Sequence, residues 1–241
     1  MIVLLTDFGQ SEYVGVMKGV IYRINCGIKI VDLCHDIAPQ NIIEASWILK
    51  SNYTYFPRGA TFCCVVDPGV GTERKTLAVK TDSYYFVAPD NGLLWETLKE
   101  QKNTDARQIA IPLDASRTFH GRDVFAKAAA NIELGNFDDF REKVSHIQNL
   151  EIYSNPPEGT IVRIDKFGNV ITNLSKQDKD KYSVAIGEKT YVMNYYPNYD
   201  VAKDNELFLI EGSNNTLEIS LRKGNANARL DSRPGQRITI S

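Results

Sequence analysis

The sequence lacks the features that mark nucleic-acid-binding, membrane-spanning and secreted proteins. Its 28 basic and 30 acidic residues give a net charge of −2, and no basic tract provides an electrostatic footprint for nucleic acid. No apolar run approaches the length that spans a bilayer, and residues 1–7 lack the cationic start of a signal peptide. We therefore predict a cytoplasmic protein with a small-molecule partner and with no nucleic-acid or membrane partner.

Cysteine and histidine are scarce, with four and three residues in a chain of 241. Cys26, Cys34, Cys63 and Cys64 show no CxxC spacing, and the last two are adjacent in a predicted strand. Adjacent strand residues point to opposite faces, so a disulfide between Cys63 and Cys64 is not expected. Reduced, buried thiols suit a cytoplasmic protein.

Short apolar strands alternate with helical periodicity up to about residue 145. Strands are predicted at residues 2–5, 29–33, 61–66, 76–80 and 84–88. Helices are predicted at residues 14–24, from Asn41 onward, at 93–100 and at 124–134, where Asn41 and Glu44 have the spacing of a capping box. This alternation predicts an α/β domain over residues 1–150, with a mainly parallel sheet covered by helices on both faces.

The pattern changes after residues 145–159, which contain Pro156-Pro157 and are predicted to be a linker. Residues 151–241 are predicted to form a second domain. Its predicted strands lie at residues 160–164, 170–173, 190–193, 207–211, 217–221 and 237–240, with turn residues between them. No helical period of useful length is present, so a small antiparallel sandwich or barrel is expected.

Polar side chains in the first domain directly follow the predicted strands. These residues are Thr6-Asp7, His35-Asp36, Asp67 and Asp90-Asn91, while His120 and Arg122 precede a helix. In open parallel sheets, ligands bind outside the carboxyl ends of the strands. A binding site is therefore predicted at this edge. Asp7, Asp67, Asp90, His35 and His120 could equally be ligands of a divalent metal.

The most informative group at this edge is Asp67, Arg74 and His120. A carboxylate, a guanidinium and an imidazole can together hold and polarise a water molecule. The alternative is that Asp67 caps its own Asp-Pro-Gly turn, which is a common arrangement, and that Arg74 and His120 have no shared role.

Two turn segments of the second domain are further candidates. Residues 165–169, Asp-Lys-Phe-Gly-Asn, and residues 211–215, Glu-Gly-Ser-Asn-Asn, have the composition of turns between strands. By default both are structural turns. An aromatic ring followed two residues later by an amide can also stack on a purine and hydrogen-bond to it.

Taken together, these segments resemble the S-adenosyl-L-methionine (SAM) hydroxide adenosyltransferase family. Its members are also called adenosine-forming SAM hydrolases and are related to the fluorinase and chlorinase. The matching segments lie at residues 5–9, 13–19, 31–37, 66–71, 88–92, 119–123 and 164–173. They occur in order over nearly the whole chain, and the series is far more specific than any one of them.

The resemblance implies an N-terminal α/β domain, a C-terminal antiparallel β-barrel and a homotrimer whose sites lie between subunits. It implies that SAM is a substrate and that no cofactor or metal is used. The implied reaction is attack of water on the ribose C5′, which splits SAM into adenosine and methionine.

The resemblance also implies roles for individual residues. Asp67, Arg74 and His120 match the triad that handles the water, and Asp7 matches the residue that binds the ribose hydroxyls. The other implied substrate contacts are Glu12 and Asp165 at the methionine ammonium, Phe119 in the His120 motif, Phe167 and Asn169 at the adenine, and Ser213 in the adenine-side loop. The family often has aspartate at the place of Glu12.

Three departures from the halogenases favour water over halide as the nucleophile. Gln40 stands where they carry tryptophan, Asn214 where they carry arginine, and Gly121 where the fluorinase carries serine. The halogenases also lack the Asp67 and His120 pair. The alternatives to SAM hydrolysis are a metal-dependent hydrolase built on the Asp/His edge, a SAM-dependent halide adenosyltransferase, and a nucleoside- or SAM-binding protein without turnover.

Overall fold

A computed structural model describes residues 1–153 and 156–241, which divide into two compact units, Met1–Leu150 and Glu151–Ser241. The predicted linker at residues 145–159 spans the point of division, and its residues 154 and 155 lie outside the described residues. The predicted fold class is confirmed, because the first unit is a mixed α/β layer structure and the second is a barrel-like antiparallel sheet.

The first unit contains a six-stranded sheet. Its strands are β1 (Ile2–Thr6), β2 (Ile30–Cys34), β3 (Thr61–Val65), β4 (Thr76–Thr81), β5 (Tyr85–Pro89) and β6 (Thr104–Gln108), in the order β2-β1-β3-β5-β4-β6. The first four strands in this order are parallel, and β4 is antiparallel to both β5 and β6. Strand β6 was not predicted, because Ala106 is its only apolar residue.

Helices cover both faces of this sheet, as predicted. They are α1 (Glu12–Ile24), α2 (Ile42–Asn52), α3 (Trp95–Leu98) and α4 (Ala126–Glu133). Ile2 and Leu4 pack with Met17 of α1 and with α4. Side chains that alternate with these face the other side, where Phe62 stacks on Phe86 at 5.3 Å and Tyr53, after α2, meets Phe86 edge-on.

The helix boundaries follow from local hydrogen bonds. Asn41 caps α2 by accepting from the backbone amide of Glu44 at 3.1 Å, as predicted. Glu44 Oε2 in turn accepts from the backbone amide of Ala38 at 3.0 Å and from Asn41 Nδ2 at 3.4 Å. Helix α3 is a single turn and not the longer helix expected over residues 93–100. The helix expected at 124–134 begins earlier, with a π-helical turn at Gly121–Phe125.

The second unit is a seven-stranded antiparallel sheet. Its strands are β7 (Glu158–Ile164), β8 (Val170–Thr172), β9 (Lys181–Ile186), β10 (Lys189–Asn194), β11 (Leu207–Glu211), β12 (Leu217–Leu221) and β13 (Arg237–Ile240). Their order is β10-β9-β13-β7-β8-β12-β11, and a bridge between Tyr195 and Leu209 nearly closes the barrel.

Two elements of this unit were not predicted. Strand β9 buries Tyr182, Val184 and Ile186 on one face. This alternation of buried and more exposed residues was visible in the sequence, so the strand could have been predicted. Helix α5 (Ala226–Leu230) is too short for a period, and the side chain of Asn225 caps it. No helix in the two described ranges is long and apolar enough to cross a membrane.

Candidate active site

The parallel strands of the first unit bring the predicted polar residues to one edge of the sheet. A cleft of about 320 Å³ lies at this edge. It is lined by Asp7, Phe8, Ser11, Tyr13, Pro39, Gln40, Val65, Asp67, Val70, Thr118, Phe119, His120 and Gly121. Four of the predicted site residues therefore share one cleft, namely Asp7, Asp67, Phe119 and His120.

Arg74 lies directly beside the cleft residue Asp67. Its Nε donates to Asp67 Oδ1 at 2.8 Å, and its Nη2 donates to Asp67 Oδ2. Both side chains are nearly buried, with 9% of Arg74 and 6% of Asp67 exposed. A bidentate contact of this kind between a guanidinium and a carboxylate fixes the position and orientation of both groups.

The turn after β3 explains why Asp67 can reach Arg74. The Asp67 carbonyl, not its side chain, closes the turn by accepting from the Val70 amide at 3.2 Å. Gly71 has a φ of +76°, and a Cβ there would lie 2.3 Å from the carbonyl oxygen of Arg117. The chain therefore packs closely here, and the Asp67 carboxylate is free of the capping role that the alternative interpretation gave it.

Arg74 also fixes the protonation state of His120. Its Nη2 lies 2.8 Å from His120 Nδ1, and arginine has only donors, so Nδ1 must accept and the neutral imidazole carries its proton on Nε2. Burial and the neighbouring Arg74 charge lower the pKa of His120, against the opposing effect of Asp67 and Asp123. Asp67, Arg74 and His120 thus form one connected array, with a carboxylate acceptor and an imidazole at the cleft.

Asp7 directly follows β1 and joins the cleft to the loop after β2. Its Oδ2 accepts from the Gln40 amide at 2.8 Å, and Gln40 has a φ of 64°. The left-handed conformation is uncommon for a residue other than glycine. The Asp7 bond therefore holds in place a strained residue that itself lines the cleft.

Glu12 is placed differently from the other first-unit candidates. It is the exposed first residue of α1 and does not line the cleft, although its neighbours Ser11 and Tyr13 do. Phe8 and Tyr13 are cleft residues that the sequence did not single out, and their only signal was their position within the motifs at residues 5–9 and 13–19.

The carboxylates and histidines of the strand ends do not converge as metal ligands. His35 is held by Thr6 Oγ1 at 2.8 Å and lies 3.0 Å from Asp32. Asp90 accepts from the Gln148 amide at 2.7 Å. In the described part of the chain, no three His, Cys, Asp or Glu side chains are arranged to hold a metal ion.

The candidate residues of the second unit lie in two turns. Asp165 Oδ1 accepts from the amides of Phe167 and Asn169, both at 2.9 Å, and Oδ2 accepts from Asn169 Nδ2 at 3.0 Å. The residue Phe167 is 64% exposed. Ser213 is exposed in a turn closed by the Asn215 amide and the Gly212 carbonyl. Asp165 therefore does build its own turn, and this turn presents an aromatic ring to solvent.

The chain is similar to known proteins over both of its units. The sequence model of the SAM hydroxide adenosyltransferase N-terminal domain matches residues 2–141, and that of the C-terminal domain matches residues 159–239. The chain is 37% identical to the (R)-S-adenosyl-L-methionine hydrolase of Methanocaldococcus jannaschii, over 96% of this chain and 92% of the relative. It is 31% identical to the enzyme of that name from Thermus thermophilus, over 98% and 97% of the two chains.

More distant proteins and a solved structure complete the comparison. A fluorinase from Nocardia brasiliensis is 25% identical over 78% of this chain and 76% of the relative. An uncharacterized conserved protein from Thermotoga maritima superposes with a TM-score of 0.91 at 34% identity, over the full length of both chains. With both of its domains matched, the chain belongs to the SAM hydroxide adenosyltransferase family.

Proposed function

We propose that this protein hydrolyses SAM to adenosine and L-methionine, by in-line attack of water on the ribose C5′. The observation that carries the proposal is the connected array of Asp67, Arg74 and His120 at the cleft. Family membership and the relatives named (R)-SAM hydrolase support the choice of substrate and reaction.

The chemistry requires little more than a well-placed oxygen nucleophile. The leaving group is a neutral thioether that departs from a sulfonium, so no general acid is needed. Holding a reactant in the right geometry can lower a barrier by about 7–11 kcal/mol in favourable cases. A rigid array that positions one water in line with the C5′–S bond therefore supplies what this reaction needs.

Each member of the array has a distinct part in this scheme. A carboxylate in water has a pKa of about 4, some 12 units below that of bulk water, so free hydroxide does not form before the attack. Asp67 instead accepts a hydrogen bond from the water and takes its proton late, as the C–O bond forms. Neutral His120 has Nε2–H left to donate to the water oxygen, while Arg74 holds both partners.

The substrate contacts are proposed on family resemblance. Asp7 binds the ribose hydroxyls, using the acceptor capacity that the Gln40 amide leaves open, and Phe119 contacts the substrate beside His120. Glu12 and Asp165 lie at the methionine ammonium, and Phe167, Asn169 and Ser213 serve the adenine side. Asp165 can do so because an ionised carboxylate has about four acceptor positions, of which its own turn uses three.

We propose further that the enzyme is a cytoplasmic homotrimer with sites shared between subunits. Phe167 is 64% exposed, so its ring is available to a substrate bound by another subunit. The four free cysteines are typical of a reducing compartment. Trimers assembled from Asp67→Asn and Phe167→Ala chains together should be more active at low SAM concentration than either variant alone if the sites are shared, because some sites then contain both native residues. No gain over the separate variants would contradict sharing.

Two alternatives are less well supported by the geometry. Metal-dependent hydrolysis would need Asp67 and His120 as ligands, yet both are bound to the Arg74 cation. Halide transfer would use the same cleft, where Gly121 presents no hydroxyl group.

The test is incubation with SAM in ¹⁸O-labelled water containing chloride and fluoride, with and without a chelator. We expect adenosine labelled at the 5′ oxygen, equal rates with the chelator, and methionine as co-product. Halogenated adenosine as the main product would establish the transferase instead. Loss of activity with the chelator would establish the metal-dependent reaction, and SAM binding without any product would reject catalysis.

A further inference from the structure

Three aromatic side chains form an aromatic corner in the candidate active-site cleft, defined by Phe8, Tyr13 and Phe119. The ring centroids of the pairs lie 5.6 Å apart for Phe8 and Tyr13, 5.9 Å for Phe8 and Phe119, and 5.0 Å for Tyr13 and Phe119. The interplanar angles are 66°, 73° and 65° in the same order. Each pair of rings is therefore in edge-to-face contact, with the ring planes at steep angles to one another.

The aromatic corner is open and not part of a closed core. All three side chains line the cleft that also contains Asp67 and His120. Tyr13 is 45% exposed, and Phe8 and Phe119 are only partly buried against the core. Part of this aromatic surface is therefore accessible to a ligand in the cleft.

One ring of the corner already interacts with a cation. The Arg122 guanidinium lies 5.3 Å from the ring centroid of Phe119. Asp123 holds Arg122 in place with contacts of 2.7 and 2.8 Å. Arg122 itself does not line the cleft, whereas Phe119 does, so the part of Phe119 that lines the cleft remains available to a ligand.

We propose that the aromatic corner binds the sulfonium group of the substrate and thereby selects a charged sulfonium over a neutral thioether. The inference rests on the proposed function, which supplies a substrate whose charge lies on sulfur. The faces of aromatic rings attract cations, and onium groups with alkyl substituents are bound by several rings at steep angles to one another. The aromatic corner has this arrangement.

The reaction predicts which kinetic constant the corner affects. The positive charge on sulfur declines as the C5′–S bond breaks, and the methionine product is a neutral thioether. An interaction with the charge is therefore stronger in the ground state than in the transition state, so it contributes to substrate binding rather than to kcat. It also favours exchange of the neutral product for a new charged substrate.

The test compares SAM with S-adenosylhomocysteine, the neutral thioether that lacks the methyl group. The affinities of both ligands are measured by calorimetry at low temperature and by inhibition of turnover, for the native protein and for Tyr13→Leu and Phe119→Leu. The preference for SAM should fall by roughly 2- to 30-fold in each variant, the range expected for a cation–π contact. Tyr13→Phe keeps the ring and should keep the preference.

The outcomes separate this inference from the proposed function. Equal losses for both ligands would mean that the corner is only apolar lining, and unchanged affinities would mean that it does not contact the sulfur; either result overturns the inference. If the native protein fails to cleave SAM but the variants still lose the preference, the proposed function falls and the sulfonium site stands. Tyr13→Leu alone decides the matter if Phe119→Leu does not fold, because Tyr13 is the most exposed of the three rings.

Discussion

Asp67 in the first unit and Asp165 in the second have similar sequence contexts but opposite structural roles. Each follows the end of a strand and is itself followed by a glycine-containing turn. Asp165 directs its carboxylate to the amides of its own turn, whereas Asp67 closes its turn through the backbone and directs both carboxylate oxygens to Arg74. The structural interpretation of an aspartate in a turn therefore holds for one residue and fails for the other.

This difference shows how a carboxylate becomes available for chemistry. A side chain that caps its own turn is held by contacts between neighbouring residues and serves local structure. Asp67 is held by a residue seven positions later that also contacts His120, 46 positions further along the chain. The tertiary contacts bury Asp67 beside a cleft, and the local contacts of Asp165 present Phe167 to solvent.

The strongest test of this comparison replaces each aspartate by asparagine. Asp67→Asn keeps the shape but cannot take a proton from water, so kcat should fall by roughly 10²- to 10⁴-fold, as expected for loss of a general base, with little change in SAM affinity. Asp165→Asn retains an acceptor for its turn and should leave kcat nearly intact. Steady-state kinetics with direct SAM-binding measurements provide the check, and full activity of Asp67→Asn would end the proposed mechanism.

A smaller effect is expected at Asp7, whose role is binding. Hydrogen bonds to charged groups are worth about 1.5–3 kcal/mol, so Asp7→Ala should raise KM by roughly 10- to 100-fold while kcat changes less. Asp36→Ala is a matched control, because Asp36 follows β2 but is exposed and does not line the cleft. Removing the 2′-hydroxyl from the substrate should raise KM less in Asp7→Ala than in the native protein. Loss of a bound divalent metal in Asp7→Ala would instead support the metal-dependent alternative.

The sequence predicted elements whose pattern is strong and local. Strands β11, β12 and β13 have the predicted bounds because each is a compact run of strand-forming residues between turn residues. Strand β6 was missed because it lies at the sheet edge and contains one apolar residue, so its pairing with β4 defines it. Helix α5 was missed because its single turn depends on the Asn225 cap.

The sequence predicted four residues that line the cleft, but it predicted neither Phe8 and Tyr13 nor the connections between the polar groups. Strand ends placed Asp7 and Asp67 at one edge, and the family resemblance assigned the roles. No local pattern shows that Arg74 contacts both Asp67 and His120, or that the contact leaves the proton on Nε2. The aromatic corner likewise combines residues from the β1 loop, from α1 and from the segment before α4, which only tertiary folding brings together.

The exposed turn of the second unit provides a test in the other direction. Phe167→Ala should weaken SAM binding by about 1–3 kcal/mol, the usual worth of stacking on a base, and should leave the thermal unfolding temperature unchanged because the ring is exposed. Val192→Ala is the control, since Val192 is a comparably exposed apolar residue of the same unit, at 67%. If SAM affinity is the same in both variants, Phe167 is only a turn residue and the resemblance misassigns the adenine site.

The smallest expected effect is a displacement of the pH profile caused by His120. Only neutral His120 can accept from Arg74, and burial with the Arg74 charge lowers its pKa. Activity should therefore persist as the pH falls through the ordinary histidine pKa of about 6.5 and decline only at lower pH, as Nδ1 becomes protonated.

Since the chain has three histidines, NMR titration can follow His120 once His120→Asn identifies its signal. Asp67→Asn removes a charge that opposes the lowering, so it should move the His120 midpoint further down. A midpoint at or above 6.5, or an upward shift in Asp67→Asn, would contradict the neutral array.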